Sequence, residues 1–199
     1  MERATEKRPR GAASFAPYVH CAVLVTLWAA VPAHAEAETE EGNRPNALEL
    51  GFTHTFQLLR TSPSEAEAGR SENLWGFVVA YERVLIPDRL ALVIAKPFHF
   101  TKDRFDSPLD IFLKVPFPRG RWEPYVAAGF SGNARFFSGE LEQEEGRRVE
   151  YTFGVGAIGG CVYRFTPRWG LSLEVGYLYF VNGLTQHGFI DAVSAVWSY

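Results

Sequence analysis

The stretch "VEYTFGVGAIGGCVYRFTPRWGLSLEVGYLYF" (residues 149–180) decides the fold. Residues 149–165 and 170–180 each alternate apolar side chains with small or polar ones, which is typical of a β-strand with two different faces. The linker "TPRW" contains a proline that suits a tight turn. The apolar face carries Tyr151, Phe153, Val155, Ala157, Cys161, Tyr163, Phe165, Leu171, Leu173, Val175, Tyr177 and Tyr179. The stretch therefore predicts an antiparallel hairpin.

The same alternation recurs on both sides of this hairpin and gives eight segments in all. They are residues 47–58, 74–83, 89–100, 109–117, 123–136, 149–165, 170–180 and the terminal stretch "FIDAVSAVWSY". After residue 46, no window of the sequence holds eighteen consecutive apolar residues. There is also no long segment in which apolar residues recur with the period of an α-helix. The regular secondary structure is therefore predicted to be all β.

The spacers between the segments alternate in length. "IPD", "PRGR" and "TPRW" are short, whereas "RTSPSEAEAGRSEN", "TKDRFDSP", "SGELEQEEGRR" and "VNGLTQHG" are longer and more polar. Short turns at one end and longer loops at the other are typical of a transmembrane β-barrel. A sheet in lipid must close so that every backbone N–H and C=O is paired. The sequence predicts an eight-stranded antiparallel up-and-down transmembrane β-barrel, with both termini at the short-turn end.

The two faces of the strands have different compositions. The face predicted to point into the lumen is rich in glycine, and it carries a polar network of Glu49, Glu82, Asp110, Lys114, Arg135, Glu150, Arg164 and Glu174. The outward face ends in aromatic residues that are predicted to lie at the membrane interfaces: Trp75, Trp122, Tyr163, Tyr179, Trp197 and Tyr199. Because an eight-stranded barrel is narrow, opposite charges inside it are expected to pair and close the lumen.

Three charged or titratable residues do not fit this simple pattern. By strand parity, His54, Lys96 and Asp191 fall on the outward, lipid-facing side of their segments. The apolar Ile190, next to Asp191, falls on the inward side. Since proline within a strand is tolerated at bulges, Lys96-Pro97 is predicted to mark a bulge that shifts the parity. A register change near Asp191 is the corresponding expectation in the last strand.

The N-terminus has the pattern of a cleaved secretory signal peptide. A basic start, a short apolar run and "AHA" at residues 33–35 predict cleavage after Ala35. Residues 36–45 then form a short acidic periplasmic leader, and residues 46–199 form the barrel. Cleavage would leave 16 basic and 21 acidic residues, a net charge near −5 that argues against a nucleic-acid partner. Only Cys161 would remain, so no intramolecular disulfide is expected.

Residues 154–180, "GVGAIGGCVYRFTPRWGLSLEVGYLYF", and the final Tyr199 resemble the small bacterial outer-membrane β-barrel superfamily, akin to the transmembrane domain of outer membrane protein A. The resemblance extends over residues 46–199. It implies a location in the bacterial outer membrane, with outer-membrane lipids as the surroundings. It also implies that the barrel-assembly machinery recognises the C-terminal strand.

The residues point to no catalytic, cofactor or metal site. His54, His99 and His187 lack a neighbouring serine in a hydrolase context, and no ligand pairs recur at metal spacing. The favoured interpretation is a non-enzymatic structural or surface-interacting barrel. Three alternatives stay open: a narrow pore for small solutes, a lipid-modifying outer-membrane enzyme, and a soluble lipocalin-like ligand-binding barrel.

Overall fold

The computed structural model describes residues 44–59, 71–138, 146, 148–183 and 185–199, and the described strands form one closed antiparallel barrel. The strands are β1 (Asn46–Leu59), β2 (Ser71–Ile86), β3 (Leu90–Phe100), β4 (Arg104–Pro116), β5 (Trp122–Phe137), β6 (Val149–Arg164), β7 (Trp169–Phe180) and β8 (Thr185–Ser198). Each strand pairs with its neighbours in the chain, so the predicted eight-stranded up-and-down barrel is confirmed. The predicted signal peptide and most of the acidic leader lie outside the described residues.

Closure is made by the first and last strands. β1 pairs with β8 from Ala47↔Ser198 to Leu58↔His187, and the amide of Tyr199 donates to the carbonyl of Asn46 at 3.0 Å. The C-terminal strand therefore completes the wall of the barrel. Among the described residues there is no helix long and apolar enough to cross a membrane.

The barrel is apolar outside and largely polar at the two ends of its interior. Phe52 and Phe130 are 74% and 70% exposed on the outer face, whereas Arg135 and Thr152 are fully buried inside. This arrangement is the reverse of a soluble barrel, in which apolar side chains fill the interior and polar ones face water.

Several strands extend beyond the predicted segments at the end of the barrel opposite the termini, here called the upper end. β4 begins at Arg104, within the predicted loop "TKDRFDSP", and β8 begins at Thr185, within "VNGLTQHG". The expectation that all four upper connections are long was therefore wrong. Residues 101–103 connect β3 to β4, and β7 ends at Phe180, shortly before β8 begins at Thr185. The strands extend this far because Arg104, Asp106 and Thr185, whose polar side chains suggested loops, point into the barrel and bond there.

The predicted bulge at Lys96-Pro97 was also wrong. The register of β3 against β2 runs without a shift through Val79↔Lys96 and Val78↔Pro97, so Lys96 stays on the outer face. Likewise, the β1–β8 register is unbroken around His54↔Asp191, and Asp191 points outward. In both places the outward polar group has a hydrogen-bonding partner: the carbonyl of Ser107 for Lys96, and His54 for Asp191.

Glycine allows close strand contact at the inward positions. A Cβ on Gly76 would lie 1.8 Å from the carbonyl oxygen of Phe98, and one on Gly129 would lie 2.0 Å from that of Ile111. Any larger residue at these two positions would force the backbone of the neighbouring strand to move. At the lower end, Asp88 and Gly120 adopt positive φ in the short turns, as the turn composition predicts.

Candidate functional site

The upper end of the lumen holds a network built on two buried arginines, here called the upper network. Arg104 donates to both carboxylate oxygens of Asp106, at 2.9 and 3.0 Å, and also to Glu72 and Gln57. Arg135 donates to the Asp106 carboxylate as well, with its Nε 3.2 Å from Oδ1. A single buried carboxylate therefore links two guanidinium groups from neighbouring strands.

The second arginine spans the lumen. Arg135 Nη1 lies 3.0 Å from Glu150 Oε2, and its Nη2 lies 2.6 Å from Thr185 Oγ1 and 3.1 Å from Gln57 Oε1. These partners belong to β6, β8 and β1 respectively. Planar guanidinium groups suit such multiple contacts because their donors point in fixed directions. The upper network thus connects strands on opposite sides of the barrel.

The lower end of the lumen holds a second network, here called the lower network, around Lys114. Its Nζ lies 2.7 Å from Glu82 Oε2 and 3.1 Å from Glu123 Oε1, and it sits 4.2 Å from the centre of the Tyr125 ring. Tyr125 in turn donates to Glu174. The buried ammonium group of Lys114 therefore contacts two carboxylates and the face of an aromatic ring at the same time.

The lower network continues towards the barrel mouth through Arg164. This side chain lies 2.8 Å from Glu123 Oε2 and donates to Ser198 Oγ at 2.8 Å. Beneath it is a pocket of about 490 Å³ that Glu82, Glu123 and Arg164 help to line. The lower network is thus partly open to solvent, whereas the upper one is packed among its own members.

A largely apolar layer, here called the middle layer, separates the two networks. Along β4 the inward Phe112 lies between Asp106 and Lys114, and along β2 Val78 and Ala80 lie between Glu72 and Glu82. The layer consists of Val78, Ala80, Val93, Ala95, Pro97, Phe112, Ala127, Ile158, Leu178, Phe180, Ile190 and Ala192. This layer was not predicted from the sequence, which indicated glycine and mixed-sign charges on the inward face.

All eight residues of the predicted polar network have inward parity in the barrel. Arg135 and Glu150 belong to the upper network, and Lys114, Glu82, Arg164 and Glu174 to the lower one. Asp110 and Glu49 are buried beside the middle layer, outside the ion pairs described above. Arg104, Asp106 and Thr185 were not predicted because they were assigned to loops. Glu72, Glu123 and Tyr125 were also absent from the predicted polar network.

The predicted interface aromatics lie at two levels on the outer face. Trp122 contacts Tyr163 at a ring distance of 4.7 Å, and Trp197 contacts Tyr199 at 4.8 Å, all near the lower end. Trp75 and Tyr179 lie towards the upper end, beside His54 and His187. Two further groups complete these levels: Trp169 beside Trp197, and a row of stacked phenylalanines, Phe77, Phe98, Phe100, Phe105 and Phe136.

An outward polar cluster occupies the seam between the first and last strands. His54 Nδ1 lies 2.9 Å from Asp191 Oδ1, and Nε2 lies 3.0 Å from Asn73 Oδ1. The Trp75 ring covers the imidazole at 4.3 Å. Lys96, the other outward polar residue, donates to the carbonyl of Ser107 at 3.0 Å.

The other two histidines among the described residues have different surroundings. His99 is buried in the lumen, with Nε2 3.2 Å from Thr55 Oγ1, and His187 lies 2.6 Å from the Tyr177 hydroxyl on the outer face. Neither contact joins the imidazole to a serine. Within the part of the chain that the structure describes, no three His, Cys, Asp or Glu side chains converge as a metal site.

Comparison with known proteins gives likeness in structure alone. No protein-family model matches the sequence, and no curated protein matches it significantly. Neisserial surface protein A is similar, with a TM-score of 0.60 and 14% identity over 77% of this chain and 97% of that one. So is the N-terminal β-barrel domain of OprF from Pseudomonas aeruginosa, with a TM-score of 0.57 and 11% identity over 78% of this chain and 98% of that domain.

The outer membrane protein OprG from Pseudomonas aeruginosa is similar as well, with a TM-score of 0.58 and 10% identity. That match covers 81% of this chain and 99% of OprG. The three structures match over nearly their whole lengths, so the likeness concerns the complete barrel. The chain therefore has the fold of the small eight-stranded outer-membrane β-barrels.

Proposed function

We propose that this chain is an integral outer-membrane β-barrel with a closed lumen and a structural or surface-interaction role. The observation that carries the proposal is the middle layer between the upper and lower networks. An ion crossing the barrel would have to break buried charge pairs and then leave water among Phe112, Leu178 and Phe180, which are all buried. Both steps are costly, because desolvated charges need partners.

Membrane insertion is supported by the outer face. Large apolar side chains are exposed all around it, and aromatic rings gather at two levels. Such a surface suits lipid, with aromatic residues at the interfaces. It disfavours the lipocalin-like alternative, in which the exposed face is polar. We infer that residues 1–35 direct export and that β8, together with the Tyr199 that follows it, is recognised by the barrel-assembly machinery.

A non-enzymatic role is supported by the histidine contacts. The imidazoles of His54, His99 and His187 bond to Asp191, Asn73, Thr55 and Tyr177, which do not form the serine-based hydrolase constellation. A lipid hydrolase of the serine–histidine type would need a histidine as its general base. Replacing each by glutamine and assaying lipid hydrolysis would separate an enzyme from a structural barrel.

Conductance in planar lipid bilayers tests the closed lumen. The wild-type barrel is expected to give no discrete current steps. The double variant Phe112→Ala with Leu178→Ala is expected to conduct more, because it opens the middle layer. The control replaces Leu113 and Leu173 by alanine, since both residues point outward and are about half exposed. Discrete steps from the wild-type protein would overturn the closed lumen and favour the pore.

A further inference from the structure

The wall between β3 and β4 is interrupted at mid-height. Pairing runs from Ala91↔Lys114 to Ala95↔Asp110 and resumes at His99↔Asp106 in the same register. In that register Pro97 and Pro108 face each other across the gap, and neither residue has an N–H to donate. The side chain of Lys96 bonds the carbonyl of Ser107 from the outer side. Two opposed prolines thus leave a gap in the ladder without any bulge.

Polar atoms without partners collect on the inner face beside this gap. The buried side-chain atoms that lack a hydrogen bond among the described residues are Asp110 Oδ1, Ser131 Oγ, Asn133 Oδ1 and Thr152 Oγ1. Asp110 is paired with Ser131, and Asn133 with Thr152, across β4, β5 and β6. The four atoms therefore form one contiguous patch rather than scattered defects.

The patch borders an internal cavity of about 70 Å³. Asp110 and Asn133 line it, and both are at least 95% buried. Much of the remaining wall is the middle layer, including Ala95, Ile158 and Ile190. Because one water molecule needs about 10–15 Å³ of such a cavity, the cavity has room for roughly five to seven non-hydrogen atoms.

The carboxylate and amide oxygens of the patch favour a bound molecule that donates hydrogen bonds. Asn133 Nδ2 faces Asp106 Oδ2 at 3.5 Å, an orientation that leaves Oδ1 directed elsewhere. Asp110 makes no ion pair with any described side chain, although Glu82, Asp106 and Glu123 all do. Asp110 has the Ser131 hydroxyl beside it but no ion pair, and Asn133 Oδ1 has no hydrogen bond among the described residues, so the two buried oxygens together favour a cationic donor.

We propose that the barrel interior binds a small amphiphilic ammonium compound, with its nitrogen donating to Asp110 and Asn133 and its short carbon chain in the middle layer. The proposal goes beyond a structural role, and it does not depend on whether the lumen conducts ions.

Butylammonium chloride is the probe, and the five isoleucines of the sequence supply the reporters. Ile158 and Ile190 line the cavity, whereas Ile94 and Ile111 are exposed on the outer face. The mature full-length protein, labelled at isoleucine methyl groups and held in detergent micelles, would be titrated by NMR. Saturable shifts at Ile158 and Ile190 are expected. Shifts that do not saturate, or that occur only at Ile94 and Ile111, would mean partition into the micelle and would overturn the proposal.

Variants test the role of the carboxylate. Asp110→Asn is expected to weaken butylammonium binding at least tenfold and to leave the weaker binding of 1-butanol unchanged. Asp191→Asn, which alters an outward carboxylate, should have no effect on either probe. Ala95→Leu fills the cavity and should abolish both, which keeps the test decisive if Asp110→Asn does not fold. Equal amine binding by Asp110→Asn and wild type would refute the assignment.

Discussion

The upper and lower networks close opposite ends of the same barrel with different chemistry. The upper one joins Arg104 and Arg135 through Asp106, and all three side chains are nearly or fully buried. The lower one surrounds Lys114, whose partner Glu123 is shared with Arg164 beside a solvent-accessible pocket. The difference teaches that ion pairs in one barrel need not have equal energetic weight. A charge with several buried partners and no access to water should matter most.

The largest effect is expected for Arg135→Leu in the upper network. This change removes one partner from the buried ion pairs that Arg135 makes with Asp106 and Glu150, and breaking a buried pair in this way costs about 3–5 kcal/mol. The free energy of unfolding, measured by urea titration in lipid vesicles with tryptophan fluorescence, should fall by that amount. Arg83→Leu is the control, because Arg83 is exposed and surface changes usually shift stability by about 0.5 kcal/mol or less. A loss no larger than the control's would show that the upper network is not a stabilising unit.

A smaller effect is expected for Lys114→Met in the lower network. Glu123 keeps its contact with Arg164, and Glu82 borders the lower pocket, so the loss should be about 1.5–3 kcal/mol. Adding Glu82→Gln should recover part of the loss in the same urea titration, because it removes the carboxylate left unpaired. A loss as large as that of Arg135→Leu would erase the proposed difference between the two ends.

The smallest effect is expected for His54→Leu on the outer face. The Asp191 side chain, which would lose this partner, is 60% exposed. The contact with Trp75 places the cluster at the level of the upper aromatic group. Charged groups near the membrane interface cost only about 0–1 kcal/mol in barrels, so the change in unfolding free energy should stay below about 1 kcal/mol. A loss near that of Lys114→Met would place the cluster deeper in the bilayer than this account does.

The two networks also differ in how far the sequence predicted them. Lys114, Glu82, Arg164 and Glu174 lie within clearly alternating segments, so their parity alone assigned them to the interior. Arg104 and Asp106 lie in "TKDRFDSP", where polar residues and a proline suggested a loop. Alternation is a reliable signal only while the outward residues are apolar, and it weakens where a strand leaves the apolar band.

The middle layer and the β3–β4 gap were missed for related reasons. In the sequence, inward apolar residues such as Val78 and Phe112 differ from outward apolar residues only in strand parity. Whether they lie at the same height in the barrel depends on the register between the strands. The gap depends on Pro97 facing Pro108, a juxtaposition that only the pairing of β3 with β4 defines. By contrast, residues 149–180 predicted their hairpin closely, because alternation, turn chemistry and length all agreed.

The most direct test of the account is the electrophoretic mobility of the mature chain extracted from outer-membrane fractions, with and without boiling. A closed transmembrane barrel should require detergent for extraction, and the unboiled sample should migrate as a compact species whose mobility changes on boiling. Recovery of the folded chain from the soluble periplasm without detergent would contradict the account and would favour the lipocalin-like alternative.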